Sequence, residues 1–291
     1  MKTKTIFKIL LVIALFFSFG SCQKEKLKVA EEMGEEEVIA ETVWGELLGE
    51  SDDVGSLLHG NSYLNANLEN DPIYDAKNRP STSGQRIVTI EQIPGESQWP
   101  GFPKKVTIQY IDWQIGQGPI KNGFMYIILN GPIDRPGTSR IITTENYTVG
   151  GNLIEGTKTI ARVDATNWQI TLVGGKITFE DGTFATREMT RNRKWVSGMR
   201  TPFFIWDDEF EITGNASGTR RNGVGYSATI TNPILMKMAC RWFVSGTIEM
   251  VSNNNTIIID YGDGECDNIA TVTVNGETQE ITIKPRPRPR P

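Results

Sequence analysis

The chain has 291 residues, a formal net charge of −5 and a single histidine, His59. Apolar residues make up 38%, with 29 Gly, 14 Pro and three Cys, a globular composition that excludes collagen-like and disulfide-dense classes. One histidine excludes any site needing two imidazoles, so His-rich zinc centres and two-His iron centres are out.

Residues 1–21 begin with Lys2, Lys4 and Lys8 and continue into an apolar run from Ile9 to Phe19. That run is too short to cross a bilayer well and reads as a secretory signal. The stretch Phe19-Gly20-Ser21-Cys22 resembles the bacterial lipobox, with Phe19 standing where Leu is usual. The resemblance implies that residues 1–21 are removed and that Cys22 is acylated. Each buried methylene contributes roughly 0.8 kcal/mol, so several acyl chains would hold the protein on a membrane. The following Gln23-Lys24-Glu25-Lys26 resembles the charged signal that routes Bacteroidota lipoproteins to the outer face of the outer membrane. Lys26 replaces an expected acid, and the periplasmic leaflet is the alternative address.

Residues 22–80 read as an acidic neck. Between Val29 and Ala76 there are 13 acidic residues and no Lys or Arg. Val38, Ile39, Val43, Leu47 and Leu48 recur at helical spacing, which predicts a short amphipathic helix weakened by Gly34, Gly45 and Gly49. The remainder reads as a solvated spacer, with His59 as a loop histidine. A cation-binding or partner-binding segment is the sharper alternative.

From Arg86 the apolar period becomes two. Residues 106–110, 168–172, 226–230, 272–274 and 281–283 alternate apolar and polar groups and are rich in β-branched and aromatic side chains. Asn122-Gly123, Gly174-Gly175, Asp181-Gly182, Asn222-Gly223, Asp263-Gly264 and Asn275-Gly276 read as turns between them. An antiparallel all-β body over residues 81–284 is expected, as a sandwich, an open barrel or a single curled sheet. The basic group Arg187, Arg191, Arg193, Lys194 and Arg200 is expected to divide over two faces of a solvated edge. The tail, 285–291, alternates Pro and Arg and should be extended and cationic; a disordered end is the plainer reading, and contact with anionic lipopolysaccharide or surface glycans is the alternative.

With Cys22 acylated, Cys240 and Cys266 remain, and an oxidising compartment makes pairing the default. The loop they close is worth about 3 kcal/mol in the chain-entropy model.

Several segments together resemble a family of Bacteroidota lipoproteins. They are Glu155-Gly156-Thr157-Lys158, Val173-Gly174-Gly175-Lys176-Ile177-Thr178-Phe179, Trp206-Asp207-Asp208-Glu209, Ile212-Thr213-Gly214, Ala239-Cys240-Arg241-Trp242 and the run from Asp260 to Asn268. The likeness covers roughly residues 100–284. It implies an exported lipoprotein and no particular activity. Ile111-Asp112-Trp113-Gln114-Ile115 replaces a Gly-rich Asp-Gly turn usual in that family.

Asp260, Asp263, Glu265 and Asp267 could offer oxygens to calcium, although the spacing is not that of a helix-loop-helix site. A charged turn pinned by Cys266 is the plainer reading. Asp207, Asp208, Glu209 and Glu211 could face them as a glycosidase pair only if the fold brought the two groups together. No nucleophile elbow, phosphate-binding loop or dinucleotide fingerprint occurs. Trp99 and Trp113, at loop or strand ends, are the candidates for ligand contact, whereas Trp168 and Trp242 belong to the expected core. The expectation is a lipid-anchored, non-catalytic binding or structural module of the outer membrane. A polysaccharide-active enzyme or glycan-binding protein, and a calcium-stabilised adhesin, are the alternatives. Expected partners are the membrane through Cys22 and a glycan or another envelope protein, with no nucleic acid.

Overall fold

The computed structural model describes Trp44 and residues 82–201, 205–253 and 255–283. Cys22, His59 and the tail lie outside the described residues.

Among the described residues the body is one antiparallel sheet of 13 strands. In chain order these are β1 (Thr82–Gln92), β2 (Lys104–Ile115), β3 (Lys121–Leu129), β4 (Ser139–Val149), β5 (Asn152–Arg162), β6 (Asn167–Thr178) and β7 (Phe184–Ser197). There follow β8 (Glu209–Thr219), β9 (Gly225–Lys237), β10 (Phe243–Ser252), β11 (Asn255–Asp263), β12 (Ile269–Val274) and β13 (Glu277–Thr282). Spatial order equals sequence order, so the sheet is an uninterrupted meander. Among the described residues it does not close, and β1 and β13 are its two edges. A 3-10 turn at Ile205–Asp207 precedes β8.

Side-chain alternation divides the sheet into an inward and an outward face. On β2, Val106, Ile108 and Tyr110 are buried while Thr107 and Gln109 point out. The same parity runs through Met125, Ile127 and Leu129 on β3 and through Ile248 and Met250 on β10. Ile257, Ile259 and Tyr261 continue it on β11, and Ala270, Val272 and Val274 on β12. All join one apolar cluster, to which Trp44 also belongs. A sheet this wide rarely stays open without curling, and full burial of one face is what curling about that face produces. Of the expected architectures, a single unclosed sheet is found and not a sandwich of two sheets.

The turn signals acted in two ways. Asp181-Gly182, Asn222-Gly223 and Asn275-Gly276 close the hairpins β6–β7, β8–β9 and β12–β13, and Asp263-Gly264 ends β11. Asn122-Gly123 and Gly174-Gly175 instead lie inside β3 and β6, where the register shifts. Both are β-bulges rather than turns. Gly123 has φ of 94°, and a Cβ there would stand 2.1 Å from the carbonyl oxygen of Asn146. The positive φ that suggested a turn serves a bulge equally well.

Candidate functional site

The expected cysteine pair is a disulfide. Cys240 and Cys266 are joined with Cα atoms 5.7 Å apart and a sequence separation of 26. The bridge ties the turn after β9 to the loop between β11 and β12.

The acidic run beside it is spent on its own backbone. Asp260 Oδ1 accepts the N–H of Gly262, Asp263 Oδ1 that of Glu265, and Asp267 Oδ1 that of Ile269. Asp263, Glu265 and Asp267 are exposed. Among the described residues no group of three or more His, Cys, Asp or Glu is disposed to hold a metal ion. The second acidic group lies at the start of β8, with β9 and β10 running between it and the end of β11. That is about 14 Å along the sheet at the usual strand spacing. It exceeds the roughly 5–9.5 Å that separates glycosidase carboxylates.

Within that second group, Asp208 is the perturbed member. Partial burial pushes its carboxyl up to about 6, and the neighbouring Asp207 adds to the rise. The indole N–H of Trp195, donated to Asp208 Oδ1 at 3.1 Å, and the charge of Arg193 oppose it. Asp207 accepts from the hydroxyl of Thr201 at 2.5 Å.

Trp99 and Trp113 are both half-buried. Trp99 lies against Gly131, where a Cβ would come 2.3 Å from Trp99 Cδ1. Its loop is tied down by the Ser97 hydroxyl, which donates to the Asn130 carbonyl at 2.5 Å. Trp113 follows the bulge in β2, stands opposite Lys121 and packs against the core. Trp168 is buried, as expected, and Trp242 is partly buried against the core.

An aromatic pair that the sequence reading passed over is presented outward on β3. Phe124 and Tyr126 lie two residues apart on the face opposite Met125, with ring planes 3° apart and centroids 6.2 Å apart. The Tyr126 hydroxyl donates to Glu145 Oε2 at 2.6 Å, and this bond to a carboxylate raises the phenol's pKa. Lys105 Nζ stands 5.0 Å from the Tyr126 centroid. Gln109 and Glu145 are the cross-strand neighbours of Phe124, and Thr107 and Thr143 those of Tyr126. Two parallel aromatic planes are thus bordered by amide, carboxylate, hydroxyl and ammonium groups. This is the chemistry that takes the C–H face of a sugar ring while bonding its hydroxyls.

The basic group of β7 is arranged otherwise than expected. Arg187, Arg191 and Arg193 share one parity with Met189, so all three point inward and are buried, while Lys194 is exposed. β7 is a central strand, not an edge. Arg191 stands opposite Gly214 of β8, and Arg187 opposite Gly218. A Cβ on either glycine would meet the backbone of β7, 2.2 Å from the Thr190 carbonyl oxygen at Gly214 and 2.0 Å from that of Thr186 at Gly218. Arg187 donates to the Tyr226 hydroxyl at 3.2 Å. The guanidinium of Arg193 lies 4.8 Å from the ring centroids of both Trp168 and Phe210. Arg140 on β4 and Lys158 on β5 are inward and buried as well.

Lys158 Nζ reaches the carbonyl oxygen of Trp44, whose own side chain is only 3% exposed. Part of the stretch expected to form a solvated neck therefore packs inside the body. Comparison of the chain with protein-family models, with curated proteins and with solved structures finds no match.

Proposed function

We propose that the protein is an exported lipoprotein of the Bacteroidota type, anchored through acyl chains on Cys22 to the outer membrane and displayed at the cell surface. Its β body is then a non-catalytic binding module. One observation carries this reading. Of three cysteines, Cys240 and Cys266 are bridged, as suits an oxidising compartment. The remaining one, Cys22, follows the apolar N-terminal run after Gly20 and Ser21.

The test is substitution of Cys22. In the producing bacterium, Cys22→Ala should abolish acylation and release the protein from the membrane fraction. Unchanged acylation and retention would refute the anchor. External protease should cleave the parent protein on intact cells, and sparing in intact cells with cleavage after lysis would refute surface display.

The outward face of β2–β4 supports glycan as the ligand class, because Phe124 and Tyr126 supply flat apolar planes with hydrogen-bonding groups at their border. A glycan-array screen of the soluble Cys22→Ala chain tests this directly.

A further inference from the structure

The aromatic pair on β3 opens onto a plane with little charge and many hydrogen-bonding groups. One outward step from Tyr126 stands Ile128, which faces Ile141 of β4. From there a single register row continues across five more strands. Ile141 faces Thr159, Thr159 faces Thr171, Thr171 faces Thr190, Thr190 faces Asn215, and Asn215 faces Thr229. Thr159, Thr171, Thr190 and Thr229 each lie between two buried residues, so the row belongs to the outward face. From β3 to β9 it covers about 29 Å along the sheet at the usual strand spacing. That is the length of several sugar units.

The row itself carries no charged side chain, whereas a solvated face normally intersperses charges of both signs. The charges beside it are engaged within the protein. Lys105 lies 3.9 Å from Glu91 and 5.0 Å from the Tyr126 ring, and Glu145 accepts the Tyr126 hydroxyl. Glu188, one outward step from Thr190, accepts the backbone N–H of Gly174 at 2.8 Å. The hydroxyls of the row are not engaged in this way. Elsewhere in the sheet facing threonines share hydrogen bonds, Thr231 with Thr247 at 2.7 Å and Thr273 with Thr278 at 2.8 Å. Thr159, Thr171 and Thr190 also face one another in register, yet among the described residues their side chains bond to no other group of the protein.

We infer that this outward face is a track for the interior of an uncharged polysaccharide chain, with sugar rings on Phe124 and Tyr126 and the following units across β4–β9, their hydroxyls bonded to the threonine and asparagine row. The inference rests on the glycan reading above and narrows it to a neutral polymer. Aromatic planes take the C–H faces of sugar rings. Threonine hydroxyls and the asparagine amide both donate and accept, as sugar hydroxyls do. A face without spare charge offers no partner to a uronate or a sulfate, and an ion brought there would lose hydration without compensation. Like side chains recurring strand after strand suit a polymer of repeating units better than a single terminal sugar.

Isothermal titration of the soluble Cys22→Ala chain tests this with di-, tetra- and hexasaccharides from cellulose, xylan, mannan and β-1,3-glucan. Oligogalacturonate and heparin fragments are the charged probes. Affinity for at least one neutral series should rise about tenfold or more from disaccharide to hexasaccharide, corresponding to one or two net hydrogen bonds. Equal affinity at all lengths would confine binding to one sugar, and preference for the charged probes would refute the neutral class. Either result overturns the track and leaves the glycan reading standing. Binding of none of these probes overturns the track, and an empty glycan array would overturn the wider reading with it. The double variant Thr190→Glu and Asn215→Glu, four and five strands from the aromatic pair, should lower hexasaccharide affinity about tenfold, toward that of the disaccharide. Unchanged hexasaccharide affinity would refute the course of the track. Should the paired carboxylates lower the unfolding midpoint, Thr190→Val with Asn215→Val removes the same hydrogen-bonding groups and should weaken hexasaccharide binding at least about threefold.

Discussion

The indole N–H of Trp195, near the end of β7, donates to Asp208 Oδ1 at the entry to β8. The same carboxylate is partly withdrawn from water, and the withdrawal outweighs the bond, so its pKa stands near 6 rather than at the ordinary 3.8. The folded state therefore holds this proton more tightly than the unfolded chain does. Between about pH 4 and pH 6 stability should fall as pH rises, and above that window this group contributes no further slope. Asp208→Asn keeps an oxygen to accept from Trp195 and removes the charge. It should flatten that part of the profile and raise stability at pH 7 by about 1 kcal/mol, after allowance for the group's solvent exposure. Urea titrations of both proteins at pH 4, 5, 6 and 7 give the answer, and parallel profiles would contradict the assignment.

The Cys240–Cys266 bridge closes a loop that contains β10 and β11. Its removal frees that loop in the unfolded chain. The double substitution of Cys240 and Cys266 by Ser should lower the unfolding free energy by about 3 kcal/mol. Thermal unfolding with and without dithiothreitol should show the same loss in the parent protein and none in the variant. Equal sensitivity of the two to reductant would contradict the role given to the bridge.

Gly218 is required by close approach. A Cβ there would stand 2.0 Å from the carbonyl oxygen of Thr186, a backbone atom that cannot swing aside. It would also lie opposite inward-facing Arg187. Gly218→Ala should cost about 2–3 kcal/mol by overpacking. Gly182, in the β6–β7 turn, has nothing within 4 Å of the same hypothetical atom, so Gly182→Asn is the mild control. Chemical denaturation should separate the two clearly, and equal midpoints would refute the steric account.

Phe124 and Tyr126 lie on the outward face, so their removal should separate binding from folding. Phe124→Ala and Tyr126→Ala should each leave the unfolding midpoint nearly unchanged and weaken any glycan binding found with the parent chain by up to about tenfold. Tyr126→Phe retains the plane and loses the hydroxyl held by Glu145, and should weaken binding only partly. Stacking on an aromatic face has a scale of about 0.5–1.5 kcal/mol per contact, close to tenfold in affinity. Full binding by the double Ala variant would move the contact surface elsewhere.

Much of the sheet was legible because alternation is a local signal. Val106 to Tyr110, Trp168 to Leu172 and Tyr226 to Ile230 all fall within strands with the expected inward parity. The bulges were not legible as such, since Gly123 and Gly174 carry the same positive φ that a hairpin turn would ask of them. The inward arginines were visible in parity alone: positions 187, 191 and 193 are all odd, and Met189 between them marks the apolar side. Arginine's usual preference for water obscured this. The aromatic platform was hidden for the opposite reason. From Gly123 to Leu129 no charged or strongly polar residue marks a face, so nothing local says that Phe124 and Tyr126 point out while Met125 points in. Trp44 was beyond local reading altogether, because it packs in a core built by distant strands and its carbonyl accepts from Lys158, 114 residues away.

The meander also sets the order in which the domain can be made. Each strand bonds only to its neighbours in sequence, so a chain emerging N-terminus first can add strands one by one to a growing edge. Each addition closes only a short loop, which keeps the entropic cost of every step small and favours rapid, progressive zippering. β1 is the oldest edge and β13 the youngest, and no strand waits for a distant partner. Cys266 emerges after eleven strands have passed, so the covalent clip is set when most of the sheet can already stand.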